Sequence, residues 1–373
     1  MDGYVTCLPL EVDGMNDRLE VASVDHPHCC VSQALKDFGN SSDSEGLELD
    51  LISVKDLDEG LKLLKDVKCD ILALPAYLLH GKQLQMLEAG CEVIGARTPR
   101  RPARILVSEE DLFHQPGFGI LLAESPLVRR QLRRYRRNIR VLSPKAYANI
   151  NSVELPKGNE KDLAIWMEDL RSSGSIDGFV TSREVYTSNH WRTRRHVLGI
   201  EPEESHGHRF IPVAYSDLVI FISRRNFPVR LANLISEVEG ESSWWVQNHL
   251  IGSMDEEMLS KIGLLVRHRQ VGAIMREAEQ DLDLAMESTF HDPEGDVTDT
   301  EVHVEIRIEI LSNDGTNTLS MERLVAHSNY QNATVAMLRD WDRMLDIATS
   351  ELPEQRTRRG KEPAKDAWLN IDD

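Results

Sequence analysis

The chain has 373 residues, of which 41% are hydrophobic, 28% are charged and 6% are aromatic. One hydrophobic core seldom supports a chain of this length, so we expect two or three domains. The composition excludes wholesale disorder, and no run of about 18 apolar residues predicts a membrane span. The N-terminal residues lack the basic and apolar regions of a signal peptide, which favours a cytoplasmic location.

The charge balance is strongly acidic but unevenly distributed. The net charge of −19 disfavours nucleic acid or a membrane as a partner, because like charges repel at long range. Between Arg97 and Arg140, however, the chain carries eleven arginines, no lysine and only four acidic residues. Such a cluster favours either a site for a polyanionic small molecule or a solvated helix face.

The cysteine pattern disfavours a disulfide framework or a structural metal. All five cysteines lie between Cys7 and Cys91, without the paired spacing of a zinc ribbon. We therefore expect reduced thiols and no metal site.

Short apolar strands alternate with amphipathic helices through the first 240 residues. In chain order the pattern predicts strands over 19–23, 49–54, 70–74, 93–96, 104–107, 119–123, 139–142, 178–181 and 210–223, and helices over 29–38, 56–64, 127–137, 160–171 and 229–238. This alternation predicts two mostly parallel α/β units in series.

The C-terminal third has a different pattern. Residues 301–309 alternate apolar and polar side chains, which predicts a strand with one solvent-facing side. Asn313-Asp314-Gly315 is typical of a hairpin turn leading into a strand over 316–326. A helix over 334–349 follows, and the polar residues 353–373 are predicted to be disordered.

Taken in order, these segments resemble the hydroxymethylbilane synthase (porphobilinogen deaminase) family over about residues 18–240. The clearest match is Glu-Ser-Pro-Leu-Val-Arg-Arg-Gln over 124–131, which is similar to the family's Gly-Thr-Ser-Ser-x-Arg-Arg-Gln at a strand-to-helix junction. Residues 25–33, 69–73, 174–180 and 212–224 are similar to further family segments in the same order.

The resemblance implies an α/β protein with two periplasmic-binding-protein-like doubly wound domains and a small α+β third domain. The first domain would comprise 18–113 and 210–230, the second 114–209 and the third 231–352, before a disordered tail over 353–373. It also implies a monomeric transferase that condenses porphobilinogen into a linear tetrapyrrole.

The family's site residues carry over only in part. Arg129, Arg130, Ser125 and Lys157 would bind the carboxylate arms of a pyrrole-type substrate, since guanidinium groups bind carboxylates bidentately. The family's catalytic aspartate position holds Leu78, which leaves Asp217 as the candidate substitute.

The family's dipyrromethane cofactor is implied as well, but its cysteine anchor is absent because no cysteine follows Cys91. Whether the chain is an enzyme is therefore left open. The alternative is a catalytically degenerate homologue that binds an anionic small molecule in the cleft between the domains.

Two further interpretations come from other classes. The segment Asp25-His26-Pro27-His28-Cys29-Cys30, with His206 and His208, contains residue types that bind transition metals. Trp244-Trp245 and the acidic strand face of the third domain would instead suit a non-enzymatic interaction protein. The sequence lacks a glycine-rich phosphate loop and a nucleophile elbow, which disfavours nucleotide-dependent enzymes and serine hydrolases.

Overall fold

The structure is a computed structural model that describes residues 17–26, 29–41, 46–98, 104–199, 209–291, 301–350 and 368–371. The strands of these residues are β1 (Asp17–Ser23), β2 (Leu47–Ser53), β3 (Ile71–Pro75), β4 (Cys91–Arg97), β5 (Arg104–Ser108), β6 (Ile120–Leu122), β7 (Arg140–Leu142), β8 (Gly178–Ser182), β9 (Arg195–Val197), β10 (Val219–Arg224), β11 (Ile262–Arg269), β12 (His303–Leu311) and β13 (Thr318–Ala326).

The helices of the same residues are α1 (Val31–Gly39), α2 (Leu57–Lys65), α3 (Gln83–Glu88), α4 (Pro126–Tyr135), α5 (Pro144–Asn151), α6 (Glu160–Ser172), α7 (Arg183–Ser188), α8 (Val229–Ile235), α9 (Val238–Ile251), α10 (Glu256–Lys261), α11 (Val271–Asp281), α12 (Leu284–Thr289) and α13 (Tyr330–Thr349). Short 3-10 turns lie at Ala76–Leu79 and His327–Asn329. No helix in these ranges is both long enough and apolar enough to cross a membrane.

Two five-stranded sheets share one strand arrangement. The first has the order β2-β1-β3-β10-β4 and the second the order β7-β6-β8-β5-β9. In each sheet, three parallel strands lie next to one antiparallel strand, which is β10 in the first sheet and β5 in the second. Along the chain, β5 enters the second sheet after β4, and β10 returns to the first. The chain therefore crosses twice between the two units.

Local sequence accounts for the helices on these sheets. In α2 the residues Leu57, Leu61 and Leu64 recur at helical spacing and are all buried. The side chain of Asp56 begins this helix by accepting a hydrogen bond from the Glu59 N–H. At α4 the Ser125 hydroxyl accepts from the Val128 N–H, and Pro126 occupies the first turn, where its missing N–H costs nothing.

The third unit is an antiparallel sheet, β11-β12-β13, covered on one face by α9 and α13. Trp341 of α13 is fully buried against the apolar side of this sheet. Helix α9 also approaches β4 closely, because a Cβ on Gly240 would lie 2.2 Å from the Ala96 carbonyl oxygen. The predicted fold class, two doubly wound α/β domains plus a small α+β domain, is confirmed.

Three sequence expectations are corrected here. Residues 104–107 were assigned to the first domain, but β5 pairs with β8 and β9 in the second sheet, since a short apolar strand carries no mark of the sheet that it joins. The face of β12 expected to be wet is covered, because Glu305 and Glu309 are 1% and 5% exposed. Disorder was expected throughout 353–373, yet Leu369 is 1% exposed and its N–H donates to the Ala348 carbonyl.

Candidate ligand-binding cavity

A cavity of about 370 Å³ lies where the two α/β units meet the third sheet. Its walls come from the end of β4, the start of β5, helix α4, the segment 210–217, helix α9 and strand β11. The lining residues are Thr98, Arg104, Val128, Gln131, Leu198, Phe210, Ile211, Pro212, Val213, Ser216, Asp217, Glu239, Ser243, Gln247, Leu264, Leu265, Val266, Arg267 and His268. A volume of this size accommodates a small organic molecule.

Two buried amides brace the cavity wall. The Gln131 amide donates to the Ile211 carbonyl and to Glu309 Oε1, both at 2.8 Å, which ties α4 to the segment beneath it and to β12. Gln247 Oε1 accepts from the Tyr215 N–H at 2.6 Å, and its amide donates to the Ser243 hydroxyl at 2.9 Å. These bonds fix the shape of the cavity wall.

The turn between the segment 210–213 and β10 is conformationally unusual. Tyr215 and Asp217 have φ values of 58° and 56°, in the left-handed region that residues other than glycine seldom adopt. The bond from the Tyr215 N–H to Gln247 holds this conformation in place. Such backbone conformations cluster at ligand sites, and here the turn carries Ser216 and Asp217 to the cavity.

Charged groups of both signs line the cavity. Arg104 Nη1 donates to Glu160 Oε1 at 2.9 Å, and Arg267 Nε donates to Glu305 Oε2 at 2.7 Å. The backbone N–H of His268 donates to Glu239 Oε1. Burial lowers the pKa of the His268 ring, so the ring is neutral at pH 7. With Asp217 and Glu239 as further acids, the lining does not have the large positive charge that a polyanion would require.

Cys29 and Cys30, just before α1, are close enough to Glu184 of α7 to feel its charge, and Cys29 also feels that of Asp217. Burial raises the pKa of the Cys29 thiol well above its usual range, and the carboxylates of Asp217, Asp25 and Glu184 contribute to this shift. Burial also raises the pKa of Cys30. Both thiols are therefore protonated at pH 7 and are poor nucleophiles.

No group of three or more histidine, cysteine or acidic side chains in the described part of the chain could hold a metal ion. The metal-site interpretation also involved His28, His206 and His208, which lie outside the described residues. Asp25 itself accepts hydrogen bonds from the backbone N–H and the hydroxyl of Ser32, at 2.8 and 2.7 Å. It therefore acts as a local cap at the start of α1.

The structure brings only one of the predicted site residues, Asp217, to the cavity lining. Ser125 caps α4, and Lys157 lies exposed in the connection between α5 and α6. Leu78 lies in the turn after β3 and packs against the main apolar core. Whether Ser125 or Lys157 binds a ligand stays a prediction.

The two predicted arginines have other partners. Arg129 Nη1 donates to the Ala123 and Glu124 carbonyls of the preceding turn. Arg130 is 1% exposed and donates to the Leu311 and Ile371 carbonyls, at 3.0 and 2.9 Å. Arg130 therefore joins α4 to the third unit.

Sequence reasoning missed Gln131, Gln247 and Arg104 as cavity residues. Gln131 is the last residue of the Arg-Arg-Gln segment at the strand-to-helix junction, so its position there could have marked it as a site residue. Gln247 carried none, because a glutamine within a helix is ordinarily exposed, whereas here it is 4% exposed.

No family model and no curated protein matches the chain. Solved structures that match the chain include an ABC transporter periplasmic substrate-binding protein from Coxiella burnetii, with 12% identity, a TM-score of 0.31 and coverage of 62% of this chain and 95% of that one. The DctP7 solute receptor from Bordetella pertussis, which binds pyroglutamic acid, has 12% identity and a TM-score of 0.29, over 62% and 81% of the two chains. Lipoprotein Tp32 from Treponema pallidum has 10% identity and a TM-score of 0.29, over 59% and 88%.

These findings correct three sequence expectations. The resemblance to hydroxymethylbilane synthase is corrected, because no family model and no curated protein matches the chain and none of the structures named above is of that family; tetrapyrrole synthesis has no support. The expected cytoplasmic location has no support from these comparisons, since two of the named structures are a periplasmic protein and a lipoprotein. The physical reason for the error is that short strand-turn-helix segments recur in any α/β protein, and their order alone does not identify a family.

Proposed function

We propose that this protein binds a small organic molecule in the cavity between its three units, and that the molecule has an apolar body and one carboxylate. The observation that carries the proposal is the cavity itself: about 370 Å³, with a mainly apolar wall and a few fixed polar groups. This combination is typical of sites that bury most of a small ligand and orient it through a few hydrogen bonds.

The charge of the lining supports one carboxylate rather than several. Arg104 is the cavity arginine on the second unit, and its planar fork suits a carboxylate. Asp217 and Glu239 line the same space, and the His268 ring is neutral. The two lining arginines, Arg104 and Arg267, only equal these two acids in number, so a polycarboxylate would meet no net positive charge and its further carboxylates would be repelled.

A blocking substitution tests the location of the site. Ser216 is exposed and lines the cavity, so Ser216→Trp would fill its mouth without disturbing a buried group. Ser188→Trp at the exposed end of α7, outside the cavity lining, is the matched control. Monocarboxylates of amino-acid to drug-fragment size would be screened by thermal shift, because a ligand at 100 times its Kd stabilises the native state by about 2.7 kcal/mol.

We expect Ser216→Trp to abolish the thermal shift of every positive compound, while Ser188→Trp leaves it intact. Equal shifts in both variants would overturn the assignment of the cavity.

The carboxylate is tested separately. Arg104→Gln should weaken binding of a positive acid by about 10-fold to 100-fold, the contribution of a charge-assisted hydrogen bond. Arg171→Gln is the matched control, because Arg171 also pairs with a glutamate of α6, Glu168 at 2.8 Å, but does not line the cavity. If the natural chain binds the primary amide of the ligand as tightly as the acid, the carboxylate requirement is wrong, although the cavity assignment stands.

A further inference from the structure

A polar stripe runs along the side of α9 that borders the cavity. Glu239, Ser243 and Gln247 follow one another at helical spacing, so they lie on one face of the helix, and all three line the cavity. Ser243 and Gln247 are 2% and 4% exposed. The buried face of a helix is ordinarily apolar, so this stripe indicates that α9 presents polar groups to something inside the cavity.

Packing and hydrogen bonds hold the charged end of the stripe in place. Glu239 lies in the first turn of α9, and the next residue, Gly240, lies so close to β4 that a Cβ would overlap its backbone. Glu239 Oε1 accepts from the backbone N–H of His268 at 2.9 Å, which ties this turn to the end of β11. The carboxylate is therefore fixed at the cavity wall.

The charge of Glu239 has no cationic partner among the described residues. The carboxylate is half-buried, its one hydrogen-bond donor there is the backbone N–H of His268, and it forms no ion pair within those ranges. The His268 ring does not balance it, because that ring is neutral at pH 7 and its Nε2 contacts the Ser242 hydroxyl at 2.8 Å. One carboxylate oxygen is thus engaged by a neutral donor only.

The two arginines of the lining are matched by other acids. Arg104 pairs with Glu160 at 2.9 Å, and Arg267 pairs with Glu305 at 2.7 Å. Both of these glutamates lie outside the lining. A half-buried carboxylate without a cation is costly, so a cation bound in the cavity beside Glu239 would be stabilised.

A protonated primary amine suits this place. It has three N–H donors for the Glu239 carboxylate and for the Ser243 hydroxyl oxygen, which accepts from Gln247 at 2.9 Å and has a second lone pair. A metal ion suits it less, since the described residues place no group of three or more metal-binding side chains together. An organic cation is therefore the better match.

We propose that Glu239 and Ser243 form an amine subsite of the cavity, so that the ligand is a zwitterion with a protonated amine as well as a carboxylate. This inference rests on the proposed function and specifies its ligand class. A carboxylate alone would add negative charge to a lining in which Glu239 is already unbalanced. A ligand that also carries an ammonium group leaves the total charge unchanged.

The first experiment compares probes that differ only in the amine. Phenylalanine with phenylpropionate, leucine with isocaproate, and aminohexanoate with hexanoate are titrated calorimetrically into the full chain at pH 7. The variant is Glu239→Gln, whose amide oxygen can still accept from the His268 N–H. The matched control is Glu241→Gln, which removes the same charge from an exposed position of the same helix outside the lining.

We expect at least one amino compound to bind the natural chain about tenfold or more tightly than its partner without the amine. Glu239→Gln should remove this difference, whereas Glu241→Gln should change it by less than about twofold. The proposal is overturned if no amino compound binds more tightly than its partner, or if the difference survives in Glu239→Gln.

A second measurement uses the natural chain alone and does not depend on how the variant folds. Phenyllactate and hydroxyhexanoate replace the ammonium by a hydroxyl, which can donate a hydrogen bond but carries no charge. Each should bind about as weakly as the acid without the amine. A hydroxy acid that binds as tightly as its amino counterpart contradicts the amine subsite.

Ser216→Trp separates this proposal from the proposed function. If the acids bind as tightly as the amino compounds and Ser216→Trp abolishes both, the amine subsite is wrong while the cavity remains the binding site. If binding of the amino compounds persists in Ser216→Trp, they bind outside the cavity, and both proposals are wrong.

Discussion

Arg130 is the buried residue whose substitution best separates a structural role from a ligand-binding one. Its guanidinium donates to the Leu311 carbonyl at the end of β12 and to the Ile371 carbonyl near the C-terminus. Arg130→Met keeps most of the aliphatic volume but removes both donors and the charge. The two carbonyls then lose partners in a region that water reaches poorly.

The magnitude follows from these two bonds. A hydrogen bond from a charged donor contributes about 1.5–3 kcal/mol, so two would contribute about 3–6 kcal/mol. The methionine no longer has to bury a charge, which offsets part of this loss. We therefore expect Arg130→Met to lower the free energy of unfolding by about 3–4 kcal/mol.

The assay combines urea denaturation with amide hydrogen exchange. Protection should fall first at the amides of Asn313 and Leu369, which donate to the Asn370 and Ala348 carbonyls in the region that Arg130 secures. The control is Arg129→Met, which loses bonds to the turn just before its own helix and should cost about 1 kcal/mol. If Arg130→Met unfolds like the natural chain but no longer binds a carboxylate ligand, the structural reasoning is refuted.

Three further predictions concern single positions. Leu369→Ala should lower the free energy of unfolding, measured by urea denaturation, by about 2–4 kcal/mol, because Leu369 is 1% exposed. Trp368→Ala, the control, should lower it by about 1 kcal/mol or less, because Trp368 is 43% exposed; equal effects would mean that the C-terminal residues do not pack as described. Gly240→Ala should destabilise the protein by several kcal/mol, since the new Cβ would overlap a β4 carbonyl. Gly272→Ala in α11, the control, meets no atom within 4 Å and should stabilise it by about 0.5–1 kcal/mol, so a Gly240→Ala protein as stable as the natural chain would contradict the α9–β4 contact. Burial raises the pKa of Cys69 to about 11, so its alkylation at pH 8, measured by peptide mass spectrometry, should be about 100-fold slower in the folded protein than in urea. The rate in the folded protein should rise about tenfold per pH unit up to pH 10, and a rate independent of pH would contradict this.

Much of the secondary structure could be predicted from local patterns. The spacing of Leu57, Leu61 and Leu64 predicts α2, and the alternation over 301–309 predicts β12, because side chains on one face of an element recur with its period. The expected helix over 334–349 is also present, although α13 begins four residues earlier, at Tyr330. Helix ends depend on contacts outside the repeat, so they are less predictable.

The candidate site was predictable only in small part. Asp217 was named from the sequence and lies at the cavity, but Arg104, Gln131 and Gln247 come from three separate segments whose meeting no local pattern encodes. The arginine-rich segment was recognised as unusual. Its composition could not indicate that Arg130 is buried and joins α4 to the third unit while Arg137 is exposed.

The sequence by itself determined several strands and helices, such as α2 and β12, and that the chain has an α/β part followed by an α+β part, since these depend on the period of apolar residues and on turn chemistry. Only the tertiary structure decided which sheet β5 joins, which face of β12 is covered, and which arginines are buried. Glu305, on the face expected to be wet, is 1% exposed and accepts from both Arg267 and Arg269. A polar residue is compatible with either water or a buried partner, and only the packing of distant segments determines which of the two it meets.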